Sequence, residues 1–365
     1  MYILNFIPIK TGGGLQNVLS FLHGLEDKKN HLVFCRSQSS IEAYCKNNNI
    51  LYVSVNSGFL SRLKFELKGF KSHVKRGDVC FTFFGPPMIG SLNYLYNICG
   101  CAYSNLFYRD IDFWGYLPKY KRFQKHLIDK YRLYLTSRSD EVIFETEELR
   151  NRAALMSEFK NCRLHVVKMA VSRLVSGVTD TYDEFNLDDV PGYKFLFLCG
   201  AQPNKRVYEF IDILYELNKY GDFKIILTMD ECSYLSEIMV KAQGLKLSNK
   251  IINLKAINPQ SVKNVLGYID GVVNIARLES FSNNFIEAWA MKKLLIVADA
   301  SWSRGCCEAS AVYIEPSDII QSSAEILKGI NDKDHYIEAG SKLLMSHPTP
   351  DEKNKSYYSI IERSI

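Results

Sequence analysis

Two glutamates, Glu279 and Glu287, fall in the segment GVVNIARLESFSNNFIEAWAMKKLLIVAD that spans residues 271–299. The apolar run at 271–275 predicts a buried strand. A polar loop follows, and a helix is predicted to open near Ser282, Asn283 and Asn284. Glu279 then lies in the loop and Glu287 one turn inside the helix. A helix start offers unpaired N–H groups and the positive end of a dipole, which suit a diphosphate. A carboxylate one turn in can accept two hydrogen bonds from a ribose diol, and one in the loop can reach the hydroxyls of a sugar beyond the phosphates. The same residues also suit an ordinary surface helix capped by Ser282 or Asn283, with both glutamates in water.

Three other segments carry comparable chemistry. FLFLCGAQPNKRVYEFIDIL, residues 195–214, predicts a strand, a loop and an amphipathic helix. It puts Lys205 and Arg206 beyond the carboxyl end of a strand, where two cations could neutralise a departing diphosphate. PIKTGGGLQNV, residues 8–18, follows the first predicted strand and is expected to open a helix at about Leu15. Gly12, Gly13 and Gly14 there let the backbone approach a ligand and aim N–H groups at it, or simply make a tight turn. The dinucleotide fingerprint G-x-G-x-x-G does not fit. Phe84-Gly85 and Tyr108-Arg109-Asp110 follow adjacent predicted strands, so Gly85, Arg109 and Asp110 are acceptor-side candidates, with Asp110 the catalytic one. Asp110-Ile111-Asp112 also spells the D-x-D of metal-dependent sugar transferases, but two complete α/β halves argue against that single-domain plan, and no metal is expected.

Short apolar strands alternate with amphipathic helices along the chain, the pattern of parallel α/β sheets. Strands are predicted at 3–7, 32–35, 51–55, 79–84, 102–108, 141–144 and 164–168. A polar stretch ending in Pro191-Gly192 interrupts the alternation. It resumes at 193–199, 224–227, 251–254, 271–275, 294–297 and 312–314. The uncharged stretch 79–108 reads as strand, loop, helix and strand rather than a membrane span, because Pro86, Pro87 and Gly90 break it. The expected organisation is a Rossmann-like domain at 1–170, a linker at 171–192, a second Rossmann-like domain at 193–348 and a helix at 349–365. Ligands of such sheets bind beyond the carboxyl ends of the strands.

Charge divides unevenly. Residues 1–170 hold 24 Lys and Arg against 14 Asp and Glu, and the remainder holds 21 against 26, so the first half should meet an acidic partner. Residues 119–138 are helical by spacing, with Tyr120, Phe123, Leu127, Tyr131 and Tyr134 in one stripe. Lys119, Lys121, Arg122, Lys125, Lys130, Arg132 and Arg138 stand around them against a lone Asp129. Such a helix suits an anionic membrane surface. It equally suits a core helix with a solvated basic face, and the basic half favours the membrane. No motif supports nucleic-acid binding. Ten cysteines without a C-x-x-C pair, and no signal-peptide pattern at residue 1, point to reduced thiols and a cytoplasmic protein.

The segment E-SFSNNFI-E, followed by AWAM and the strand LLIVAD, resembles the E-x7-E region of retaining glycosyltransferases of family 4, which have the GT-B fold. Gly200 and Lys205 match that family's G-R-x(n)-K-G element, with Ala201 in place of its arginine and Arg206 in place of its second glycine. Ser282 stands where the family has glycine. The resemblance implies a GT-B architecture of two doubly wound domains facing a cleft, with a C-terminal helix crossing back. It implies that Glu279 contacts the donor sugar, Glu287 holds the nucleotide ribose, and Lys205, with Arg206, Gly200, Ser280, Phe281, Ser282, Asn283 and Asn284, serves the donor. The glycine loop would lie under the donor phosphates and near the acceptor. The implied activity is metal-free, retaining transfer of a hexosyl-type sugar from a UDP- or GDP-linked donor. The acceptor would be a saccharide, expected to be lipid-linked, in assembly of cell-surface polysaccharide of the bacterial O-antigen type at the cytoplasmic face of the inner membrane. A silent GT-B binding subunit and a GT-B sugar-nucleotide epimerase remain as alternatives.

Overall fold

The computed structural model describes residues 1–177 and 185–363. The chain forms two compact units, one from Met1–Asp110, Pro118–Ala170 and Pro348–Ile365, the other from Ile111–Leu117 and Val171–His347. Two segments thus leave the order of the sequence: 111–117 joins the second unit and the C-terminal segment joins the first. Of the expected linker, residues 178–184 lie outside the described residues, as do residues 364–365 of the expected C-terminal helix.

The first unit runs β1 (Tyr2–Asn5), α1 (Gly12–His23), β2 (His31–Arg36), α2 (Ser40–Asn47), β3 (Tyr52–Val55), α3 (Phe59–Leu67), β4 (Val79–Thr82), β5 (Tyr96–Cys101), α4 (Lys119–Thr136), β6 (Glu141–Phe144), α5 (Glu147–Ala154) and β7 (Arg163–Val166). Its strands form one parallel sheet in the order β3-β2-β1-β4-β5-β6-β7. Strands β4 and β6 are buried at every position, because helices cover both faces of a parallel sheet and leave no polar side. The order reverses at β1, between its neighbours β2 and β4, which makes the gap beyond the ends of β1 and β4 a topological switch point.

The second unit begins with α6 (Arg173–Ser176) and continues through β8 (Tyr193–Phe197), α7 (Val207–Leu217), β9 (Phe223–Leu227), α8 (Ser233–Gly244), β10 (Ile251–Asn253), α9 (Val262–Tyr268), β11 (Gly271–Asn274), α10 (Asn283–Ala290), β12 (Leu294–Ala298), α11 (Ser301–Cys307), β13 (Val312–Ile314), α12 (Ile319–Asn331) and α13 (Lys333–Met345). Its parallel sheet has the order β10-β9-β8-β11-β12-β13, so its switch point lies between β8 and β11.

The last helix, α14 (Pro350–Glu362), opens with a capping box between Thr349 and Glu352 and packs on the first unit. Tyr357 lies against Phe21, Phe81 and Phe83, with ring centroids 5.9, 5.5 and 5.4 Å away. Asn354 donates to the Ser20 carbonyl (2.9 Å), and the buried Lys353 ammonium donates to Asn17 Oδ1 (2.8 Å). The helix crosses back by completing an aromatic core that the earlier residues leave open.

Three local expectations are corrected. The strand expected at 102–108 is instead β5 (Tyr96–Cys101), and residues 104–106 make a 3-10 turn. Asn97 can sit inside a buried strand because its amide donates to the Leu95 and Ser91 carbonyls and accepts from the Ser91 hydroxyl. The apolar character of 106–108 serves packing of a loop: Phe107 rests on Phe144 and Phe159. The helix expected inside 79–108 is a single 3-10 turn at Ile89–Ser91. Finally, α1 starts at Gly12, not near Leu15, so the three glycines are its first turn. None of the ten cysteines is in a disulfide. Among the described residues no helix is long and apolar enough to cross a membrane.

Candidate functional site

At the switch point of the second sheet, the loops after β8 and β11 are stitched together. The Arg277 amide donates to the Asn204 carbonyl (2.8 Å). Asn274, the last residue of β11, accepts from the Ala276 amide through its side chain (3.3 Å), which turns the loop sharply. Its Nδ2 donates to Ser282 Oγ (2.8 Å) and to Glu279 Oε1 (3.4 Å). Lys205, ending the 3-10 turn Pro203–Lys205, forms an ion pair with Glu279 Oε1. Burial opposes the charge of Lys205, but the Glu279 carboxylate outweighs it and the ammonium pKa is raised. The structure thus brings Lys205 and Glu279 into direct contact, although 74 residues separate them.

The helix beyond this pair is open at its start. Ser282 is the N-cap of α10, yet its side chain makes no capping bond, because Asn274 engages the hydroxyl. The side chain of Asn284 turns away to the Leu198 carbonyl at the end of β8 (3.0 Å), tying α10 to that strand. First-turn N–H groups of α10 are left without a side-chain cap, which is the condition for binding an anion. Glu287 lies on the second turn, only 7% exposed. Among the described residues no hydrogen-bond or ion-pair partner of its carboxyl is found. Burial alone pushes its pKa up to about 8. A buried carboxyl without a partner is costly to the fold, and a group so strongly perturbed is a functional-site candidate.

Two arginines stand beside Lys205. Arg206 has left-handed backbone (φ 60°) and caps α7. Its guanidinium approaches Glu209 (3.8 Å) and Glu315 (3.7 Å), while Arg277 reaches Glu209 (3.4 Å). Burial lowers the pKa of Arg206; Glu209 opposes this and the Arg277 charge adds to it. The Nε atoms of Arg206 and Arg277 are both buried without a hydrogen-bond partner. Arg277 is not among the residues that the sequence singles out. Its position two residues before Glu279, in a loop that follows a buried strand, is the signal that could have found it.

The other expected donor residues divide. Gly200 is exposed in the β8 loop, where a Cβ would meet the Gln202 side-chain amide at 3.0 Å. The Ser280 carbonyl accepts from Cys306 Sγ (3.7 Å). The Phe281 ring packs on Phe285, Trp289 and His347, so its side chain serves the core and only its backbone faces the loop chemistry. Asn283 is half-buried at the first position of α10.

In the first unit, Gly12 adopts φ +70° with open space where a Cβ would stand, whereas Gly14 lies 3.7 Å from Ile9 and 3.8 Å from Phe84 by the same measure. Gly13 is exposed. Gly85 is buried, closing on Pro8 and donating its amide to the Gly100 carbonyl (3.0 Å). These glycines occupy the two loops beyond β1 and β4, the switch point of that sheet. Arg109 and Asp110 follow β5 and are engaged elsewhere: Arg109 pairs with Glu158 (3.1 Å) and Asp110 with Arg152 (2.8 Å), which also stacks on Tyr108. Both pairs are exposed. Among the described residues no three His, Cys, Asp or Glu side chains are grouped as metal ligands.

No family model matches the chain, and no curated protein matches it. Solved structures do. A glycosyltransferase from Rickettsia africae is 15% identical with a TM-score of 0.74, covering 100% of this chain and 98% of that one. HepE of Anabaena, in complex with UDP and glucose, is 14% identical with a TM-score of 0.74, covering 99% of each chain. Sucrose-phosphate synthase of Thermosynechococcus elongatus is 12% identical with a TM-score of 0.75, covering 99% of this chain and 98% of that one. The fold is GT-B. These likenesses span both Rossmann-like units and the returning helix of the chain.

Proposed function

We propose that this GT-B chain is a retaining glycosyltransferase of the family 4 kind, with a UDP- or GDP-linked sugar as donor. The observation that carries the proposal is the set of side chains at the second switch point: the Lys205–Glu279 pair, the open start of α10 and the dry, unpartnered Glu287. A nucleotide sugar supplies what each lacks. The ribose diol donates to Glu287, the diphosphate takes the α10 amides and Lys205, and the sugar hydroxyls take over Glu279. HepE, similar over its whole length, holds UDP and glucose in its crystal structures. Arg277 and Arg206 serve the diphosphate too, providing the charge that Ala201 does not.

The second domain, residues 193–348, is read as the donor side and the first, 1–170, as the acceptor side, with 171–192 as linker. No metal is assigned a part. The bond from the anomeric carbon to the diphosphate breaks as the acceptor oxygen attacks on the same face. The departing phosphate takes the acceptor's proton, so the protein's contribution is position and charge. Arg109, Asp110, Gly85 and the glycine turn are assigned to the acceptor side. The acceptor is a lipid-linked saccharide in cell-surface polysaccharide assembly, met at the cytoplasmic face of a membrane.

Thermal stability of the purified protein with UDP, GDP, CMP and dTDP, beside Glu287→Ala, tests the donor assignment. A nucleotide at 100 times its Kd stabilises by about 2.7 kcal/mol. A shift with one nucleotide that the variant loses supports the assignment and names the carrier. If no nucleotide shifts the wild type, the chain is a silent GT-B subunit instead.

A further inference from the structure

Helix α4 is built inside out. The periodicity of a surface helix normally turns its apolar stripe to the core and its charges to water. Here the stripe Tyr120, Phe123, Leu127, Tyr131 and Tyr134 faces outward, each side chain between 48% and 65% exposed. The opposite face, polar except for Leu133 and Leu135 near its end, packs on the first unit. Its buried Asp129 accepts from Asn105 Nδ2 (2.7 Å) and from Arg132 (3.2 Å), whose guanidinium stacks on Tyr103 at 4.5 Å. Arg122 and Lys125 on that face are half-buried. The helix therefore turns several polar side chains to the protein and leaves its aromatics exposed, with Lys121 over Tyr120 (5.9 Å) and Arg138 over Tyr134 (5.1 Å).

Helix α3 extends this surface. It has no buried residue, and Phe59 and Leu60 are each 76% exposed, with Leu67 exposed two turns later. Its Glu66 carboxylate lies near enough to the Tyr131 phenol to add to the effect of burial in raising that group's pKa. Glu66 is itself paired with Arg62 (2.5 Å). Around the apolar residues stand the exposed Lys64, Lys68, Lys119, Lys121, Lys130 and Arg138, while the one acid of α4 is turned inward.

We infer that the α3–α4 face docks on an anionic lipid bilayer, its aromatics and leucines entering the headgroup boundary and its lysines meeting lipid phosphates. Charge selects this occupant. A second copy of the chain, packed face to face, would set these lysines against their own equivalents, whereas an anionic surface complements both the apolar stripe and its basic rim. The inference deepens the membrane-surface part of the proposed function, yet it is independent of donor chemistry, so vesicle binding and UDP binding can fail separately.

The full chain is sedimented with sucrose-loaded vesicles of phosphatidylcholine alone and of phosphatidylcholine with about 30% phosphatidylglycerol. Binding is expected only to the anionic vesicles, weakening as salt rises. The double variant Phe123→Ser, Leu127→Ser should lose affinity at least about tenfold. Lys119→Gln with Lys121→Gln should lose about fivefold per lysine. These side chains are exposed, so both variants should keep the wild-type melting temperature, which confirms that they fold. Absence of binding to anionic vesicles, or equal binding by the serine variant, overturns the inference. So does light scattering that finds a wild-type dimer which the serine variant breaks, for then the face is an interface between copies.

Discussion

Substituting Glu287 by glutamine separates the two consequences of one buried carboxyl. The folded protein holds Glu287 with a pKa of about 8, against about 4.3 for an unfolded chain. Between those values the folded state keeps a proton that the unfolded state has released, so stability falls as pH rises through the window. From pH 6 to pH 9 the unfolded carboxyl is already ionised, while the folded one gives up its proton only near the top. Integrating the difference in bound protons gives a loss of about 3 kcal/mol over that range. Glutamine, close in shape to the protonated acid, has no such dependence. For a unit of this size that corresponds to roughly 6–12 °C in Tm, with wild type and Glu287→Gln similar at pH 6 and the variant the more stable at pH 9.

With UDP present the order should reverse. An ionised carboxylate can accept from both ribose hydroxyls, whereas the amide offers one oxygen, so the variant should bind UDP about 10–150-fold more weakly. Because the bound carboxyl is ionised and the free one is not, wild-type affinity should also climb with pH, by up to about tenfold per unit below pH 8. Scanning calorimetry of both proteins at the two pH values, with and without UDP, reads all three effects. Parallel melting curves for wild type and variant across pH would refute the burial argument. Unchanged UDP affinity would refute the ribose contact.

Three other outcomes are expected. Arg277→Ala should weaken UDP about tenfold or more while leaving uridine unaffected, as titration calorimetry can show; equal losses for both would mean that Arg277 does not meet the diphosphate. Lys353→Met leaves the buried Glu145 carboxylate without the ammonium that acts on it, and should cost about 3–5 kcal/mol in urea unfolding. Adding Glu145→Gln should restore most of that, and a double variant no more stable than the single one sinks the pairing. Gly12→Ala should destabilise by about 1–2 kcal/mol because of its positive φ, whereas Gly14→Ala, with only ordinary contacts around its Cβ, should melt as the wild type does. A Gly14→Ala enzyme that melts normally but loses transferase activity would show that a ligand approaches the backbone there.

The strands of the second sheet were the part of the fold that the chain states most openly, and the errors elsewhere are instructive. The strands β12 (Leu294–Ala298) and β13 (Val312–Ile314) are continuous apolar runs bounded by polar residues, so hydrophobicity alone finds them. Strand β5 escaped because Asn97 and Gly100 look wrong for a buried strand. The bonds that accommodate Asn97, from Ser91 and Leu95, are visible only in three dimensions. Site residues followed the same rule. Lys205, Glu279 and Glu287 could be named because each sits where a strand ends or a helix begins. Their contact could not, since it depends on β8 and β11 being neighbours in the sheet. Arg277 was hidden by being a lone cation in a loop.

Where local rules and tertiary structure disagree, the disagreement itself has a physical cause. Most of this chain is consistent across levels: buried strands are apolar, α14 has both its cap and its core-facing tyrosine, and buried asparagines are bonded. Glu287 and α4 are two features that are not. Glu287 is dry without a partner, and α4 turns its aromatics to water. Each costs stability in the isolated protein. Departures of this kind fall where a partner outside the chain would complete the interaction, which is the reading proposed for both places. The two proposed partners differ in kind. The buried Glu287 carboxyl would be met by a small donor of hydrogen bonds such as the proposed ribose diol. The exposed apolar stripe with a basic rim would be met by an extended acidic surface, as inferred for the α3–α4 face.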